Sequence, residues 1–180
     1  WVIKEEGRVF KVVTKGKDSV AAALAYLTSS QSQNFYARVL NSLDRVCVPG
    51  MGTMAVTMMR GHYLMAYDPL FAARVSHAEL LATCEHEVLH IILEHIPRSM
   101  QLHQLWAGES DQELLKITNN LAVDLAANEL LAKGWRNLKD KDQPLGYWVI
   151  PEQFDKALPN DLSYEMYQKL YRLTPCSNTC

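Results

Sequence analysis

The chain has 180 residues, of which 48% are hydrophobic and 21% charged. That is the size and composition of one soluble globular domain, large enough to bury a core without disulfides. Eighteen Lys and Arg stand against twenty Asp and Glu, a net charge of -2, which speaks against a nucleic-acid binder and against a polybasic membrane-surface protein. The longest apolar run, Val20 to Leu27, is too short to span a bilayer, and no signal peptide is visible. Cys47, Cys84, Cys176 and Cys180 form no CxxC pair; a reducing, cytoplasmic setting is the expectation. The first residue is Trp1, so the numbering is expected to start inside a longer or processed chain.

Residues 1–17 read as an N-terminal arm with a short strand. Asp18 and Ser19 precede an Ala-rich helix over about 19–29, and a second helix is expected over about 34–46, from Phe35, Tyr36, Val39, Leu40, Leu43 and Val46 at helical spacing. Pro49, Gly50 and Gly52 mark a loop. Thr53 to Met59 and His62 to Tyr67 read as a hairpin about Arg60-Gly61, ended by Asp68-Pro69. Ser76 with Glu79 is a capping box that opens a helix expected to stop near His95, because Pro97 disfavours helix before it. Met100 to Gly108 reads as a loop. Ser110 with Glu113 is a second capping box, opening a long helix to Lys133 with Gly134 as its stop. Residues 135–162 read as a long connection with an extended piece at 147–150, Ser163 starts a last short helix, and 174–180 form a polar tail. No linker divides the chain, so a single α+β domain over 1–180 is expected.

The chemistry concentrates in His86-Glu87-Val88-Leu89-His90. On a helix, positions i and i+4 lie about 40° apart and one turn up, so both imidazoles face one way. Two convergent imidazoles suit Zn²⁺, and the adjacent Glu87 can take a proton from a water made acidic by the ion. With six His in 180 residues, chance expects only about 0.01 such motifs in a chain of this composition, so the pattern is specific.

A catalytic zinc centre usually has three protein ligands. Asp124 is the favoured third: Asn120, Asp124 and Asn128 are spaced by four on an otherwise apolar segment, where an acid needs a partner and the amides could orient ligands. His95 is the other candidate. Nine residues from His86 is about 900° of helix, the opposite face, so His95 could ligate only if the helix ended around Leu93. His62, Tyr63 and Tyr67 are candidates for polarising a carbonyl, Arg98 for orienting a carboxylate, and Met51, Met54, Met58, Met59 and Met65 for filling core gaps or lining a cleft.

The segments HEVLHIILEHIPR and NNLAVDLAANELL resemble a metallopeptidase-domain family often encoded beside von Willebrand factor A domains and MoxR-type ATPases in bacteria and phages. The matching positions are His86, Glu87, His90, His95, Arg98, Asn120, Ala122, Asp124 and Asn128. The segment from Tyr67 to Phe71 and the closing Leu158 to Tyr167 add to the likeness. Asp68 stands where that family usually has Asn, and Asp161 where it has Gly. The likeness covers most of residues 19–173. It implies a zincin-like fold, His86 and His90 as ligands, Glu87 as base, an acidic ligand from the second helix, and a peptide or protein substrate held along the hairpin. Activity in that family is inferred from sequence, so a zinc-dependent peptidase is an expectation. An ATPase or von Willebrand factor A partner and a bacterial or phage-infected cytoplasm are expectations of the same kind. The rival readings are a non-catalytic zinc-binding interaction module and a metal-free helical interaction domain.

Overall fold

The computed structural model describes residues 17–27, 29, 39–40, 42–105, 107–108, 110–131 and 166–167. Val20, Ala23, Leu24 and Leu27 recur at helical spacing, and the backbone is helical at 17–27 (α1), with these four side chains buried. The second helix does not reach residue 46 as expected. The chain is helical at 39–40, then turns, with Ser42 N–H donating to Val39 O, and becomes a strand, β1, over Asp44–Cys47. The physical reason is tertiary: β1 pairs in parallel with the third strand, Asp44 opposite Leu64 through Cys47 opposite Tyr67. That pairing outweighs the helical period, and Val46 is left 41% exposed.

β2, Met54–Met59, and β3, His62–Tyr67, form the expected antiparallel hairpin. Arg60 and Gly61 both take positive φ, 53° and 81°, as a two-residue turn matched to the strand twist requires. The sheet order is β1-β3-β2, so β2 is an edge. Asp68-Pro69 does more than end the hairpin: it starts a short helix, α2, over Pro69–Arg74. Asp68 caps it by accepting from Leu70 N–H at 2.8 Å, and Pro69 sits where a missing N–H costs nothing.

α3 spans His77–Ile92 and begins with the expected capping box: Ser76 Oγ accepts from Glu79 N–H, and Glu79 Oε2 accepts from Ser76 N–H. It stops at Ile92, earlier than expected. Leu93 and Glu94 turn the chain, Glu94 with φ 55°, and α4 follows over His95–Leu105. Pro97 therefore lies in the first turn of a new helix, where no intrahelical bond is lost. The loop expected from Met100 is helical to Leu105. α5 spans Gln112–Leu130, three residues short of the expected Lys133. Its N-cap is Asp111, with no side-chain cap bond; Ser110 Oγ donates to Asp111 Oδ1 instead of closing a capping box.

The expectations for residues 1–16, for 135–162 with the extended piece at 147–150, and for the tail 174–180 lie outside the described residues. Of the last helix, Met166 and Tyr167 are described and helical; Tyr167 is buried and donates to Glu129 Oε2 at 2.7 Å.

The architecture among the described residues is mixed α and β, mostly helical with one small three-stranded sheet. The main core joins α1, α2, the sheet and the buried face of α3, through Leu24, Met65, Phe71, Leu80 and Val88 among others. Leu89 of α3 meets Ala127 of α5, and this small contact residue lets the two helices approach. No described helix is long and apolar enough to cross a membrane.

Candidate metal centre

Three elements converge on the motif. The capping box fixes where α3 begins, and ten and fourteen residues after Ser76, His86 and His90 stand one turn apart on the same side. α5 crosses α3 and brings Asp124 opposite them. His86 Nε2 and His90 Nε2 lie 2.9 Å apart. Asp124 Oδ1 lies 3.6 Å from the first and 3.3 Å from the second. All three donor atoms fall within 4.8 Å of one another, and among the described residues they form the one such group of His, Cys, Asp and Glu.

The donor set fits a zinc ion. Tetrahedral ligands at about 2.1 Å from zinc stand about 3.4 Å from each other, and the three observed separations bracket that value. Two bare imidazole nitrogens and a carboxylate oxygen facing a common point would otherwise repel; a cation or a proton between them is what makes the arrangement favourable. The charge environment agrees. Burial would raise the Asp124 carboxyl, but its contacts with His86 and His90 outweigh that and hold it well below the usual carboxylate range. Burial would depress the His86 imidazole, but Asp124, with the Glu87 charge, keeps it above its ordinary value.

Glu87 lines the same cleft as this trio and reaches β2. It is 8% exposed, and its Oε2 accepts the Val56 N–H at 2.8 Å. The edge strand therefore holds the carboxylate in place. Burial raises the Glu87 carboxyl above its ordinary value, with the two imidazoles and the Val56 N–H opposing without cancelling it.

The group sits in the wall of a cleft of about 690 Å³. The cleft is lined by residues 53–56 of the hairpin, by His86, Glu87 and His90 of α3, by α4, and by Asn120, Val123, Asp124 and Asn128 of α5. Asn120 and Asn128 thus share the cleft with Asp124, as their spacing suggests. Asp124 keeps 40% of its side chain exposed, so the centre opens to the cleft.

The other sequence candidates stand outside the trio of donors, although His95 also lines the cleft. The condition set for His95 is met, since α3 ends before Leu93, yet its Nδ1 lies 2.9 Å from His90 Nδ1, behind the ring and away from the convergent atoms. Burial, with the nearby His90 and Arg98 charges, pushes the His95 imidazole down to about 3. Arg98 Nη1 donates to Leu93 O at 2.9 Å, stitching the turn between α3 and α4. His62 is exposed at the far end of β3 and Tyr67 belongs to the core; neither they nor Tyr63 line the cleft. Met54 lines the cleft and Met65 is wholly buried, whereas Met59 is exposed. Ser99 and His103 of α4 also line the cleft. Sequence reasoning misses them because the helix is expected to stop near His95 and 100–108 reads as a loop; as a helix, His95, Ser99 and His103 share one face at spacing four.

His86 and His90 of one helix and Asp124 of another thus form a group that could hold a metal ion, with the buried Glu87 lining the same cleft. The chain belongs to the family described as "Putative metallopeptidase domain", whose model matches residues 17–170. Its description suggests a hydrolase and a metal. Comparison with curated proteins and with solved structures gave no match.

Proposed function

We propose that the protein is a zinc-dependent peptidase of zincin-like architecture, in which His86, His90 and Asp124 hold the ion and Glu87 is the general base. The observation that carries this reading is the convergence of three donor atoms within 4.8 Å at the wall of an open cleft, beside a buried carboxylate. Zinc held there supplies a Lewis acid that makes water acidic and polarises a carbonyl. Glu87 takes the proton of the attacking water and returns it to the leaving amine, a shuttle favoured by a carboxyl pKa raised through burial. Residues 54–56 of the edge strand β2 line the cleft, so an extended peptide can pair through main-chain bonds with the edge groups other than Val56 N–H, which Glu87 holds. Val56 N–H keeps Glu87 beside that track. In the same reading residues 1–180 are a single domain.

The test is cleavage of a fluorogenic peptide library by the zinc-loaded full chain, with Glu87→Gln as control. Cleavage by the wild type is expected, with a loss of about 10²- to 10⁴-fold in Glu87→Gln at unchanged zinc content. Equal cleavage by both proteins would remove Glu87 from the chemistry. A zinc-loaded wild type that cleaves nothing would favour the non-catalytic zinc module.

A further inference from the structure

A neutral imidazole has one N–H and one bare nitrogen, and which is which is set by the partners of both. The His90 ring has a close neighbour at each nitrogen. Its Nε2 faces His86 Nε2 at 2.9 Å and Asp124 Oδ1 at 3.3 Å, and its Nδ1 faces His95 Nδ1 at 2.9 Å. If Nε2 is to ligate, it must be bare, and the proton belongs on Nδ1. That N–H then needs an acceptor, and the atom in place is His95 Nδ1.

We propose that His95 is a positioning residue for the metal centre: its bare Nδ1 accepts the His90 Nδ1–H and so holds His90 in the tautomer and ring orientation that present Nε2 to the ion. This rests on the reading of His86, His90 and Asp124 as ligands. His95 is 3% exposed, so bulk water is not there to take its place. The rings meet at 63° with centroids 5.1 Å apart, an edge-on arrangement suited to a bond between ring nitrogens and not to stacking. The fold holds the acceptor firmly. Glu94 takes a left-handed φ of 55°, Arg98 Nη1 bonds Leu93 O, and Arg98 N–H bonds Glu94 O at 3.2 Å, so that α4 starts directly behind α3 with His95 as its first residue. The distal nitrogen of a ligating histidine usually donates to a carboxylate or a carbonyl. A neutral imidazole here performs the same orientation without adding negative charge behind the ligand.

The test compares zinc affinity of the metal-free full chain, by competition with a chromophoric chelator, for wild type, His95→Leu and His95→Asn. Leu fills the space but accepts nothing; the Asn side-chain oxygen can take the position of Nδ1. His95→Leu is expected to bind zinc about 10- to 100-fold more weakly, with His95→Asn restored to within about threefold of wild type. Thermal melts of the metal-free proteins check that both variants fold. Should His95→Leu not fold, ring ¹⁵N spectra of the zinc-loaded wild type decide: His90 is expected to carry its proton on Nδ1, bonded to His95. A His90 ring bound through Nδ1 overturns the proposal, as does a folded His95→Leu with zinc affinity within about twofold of wild type, or a His95→Asn as weak as His95→Leu. Wild type that binds no zinc would overturn the metal centre as well, whereas unchanged affinity in His95→Leu would remove only the role of His95.

Discussion

Asp68 is a single carboxylate that joins two elements. One oxygen caps α2 through Leu70 N–H and the other accepts Gly52 N–H across the loop before β2, each at 2.8 Å, and the residue is 2% exposed. Burial alone would raise its pKa, but the backbone N–H groups of Gly52 and Leu70 outweigh burial and hold it below its ordinary 3.8. Because the folded value is the lower one, the stabilisation is present above pH 3.8 and is lost as pH falls through the folded value. Asp68→Ala is expected to cost about 1–2 kcal/mol in urea unfolding at pH 7. Asp68→Asn, which keeps an acceptor for Leu70 but has no charge to lose, is expected to show a flatter stability profile below pH 4. An unchanged midpoint in Asp68→Ala would contradict the bridging role. At this scale much of the candidate site is readable from sequence. His86 and His90 share a face by spacing alone, and Asp124 is marked by an acid at spacing four between two amides. The contact of His95 with His90 is not readable, because it depends on where the chain turns between two helices.

That turn is a matter of elements. Pro97 disfavours helix before it, and the sequence therefore reads as one helix followed by a loop. The structure keeps Pro97 inside a helix by starting α4 only two residues earlier, after a left-handed Glu94. The segment 44–47 fails for a different reason: its apolar spacing fits a helix, but the open side of β3 recruits it as a strand. In both cases a contact distant in sequence, or one backbone angle, overrides a local signal. The hairpin and the α3 cap were legible because Arg60-Gly61 and Ser76 with Glu79 carry their whole signal locally. Glu94 offers a direct check on the joint. A β-branched residue is costly at φ 55°, so Glu94→Val is expected to destabilise the fold by about 1 kcal/mol or more, while Glu94→Gly stays within about 0.5 kcal/mol of wild type. Chemical denaturation of the two variants measures this. Equal stability of the Val and Gly variants would mean that the joint does not depend on the left-handed residue.

Across the molecule, α3 packs its apolar face against the sheet and α1, and its other face meets the cleft that α4, α5 and residues 54–56 of β2 also line. α3 is thus the shared wall between the main core and the cleft. Its buried apolar residues, such as Val88, hold the frame, and His86 and His90 on its other face meet Asp124 of α5. An ion at that point would tie α3 to α5, two helices otherwise joined by a small apolar contact between Leu89, Ala127 and Leu131. The most direct measurement is elemental analysis of purified wild type, His86→Ala and Asp124→Ala after equilibration with zinc and removal of the excess. About one zinc per wild-type chain is expected, absent from His86→Ala and much reduced in Asp124→Ala. A wild type that retains no zinc, or an Asp124→Ala protein that retains it fully, would contradict a centre built from His86, His90 and Asp124.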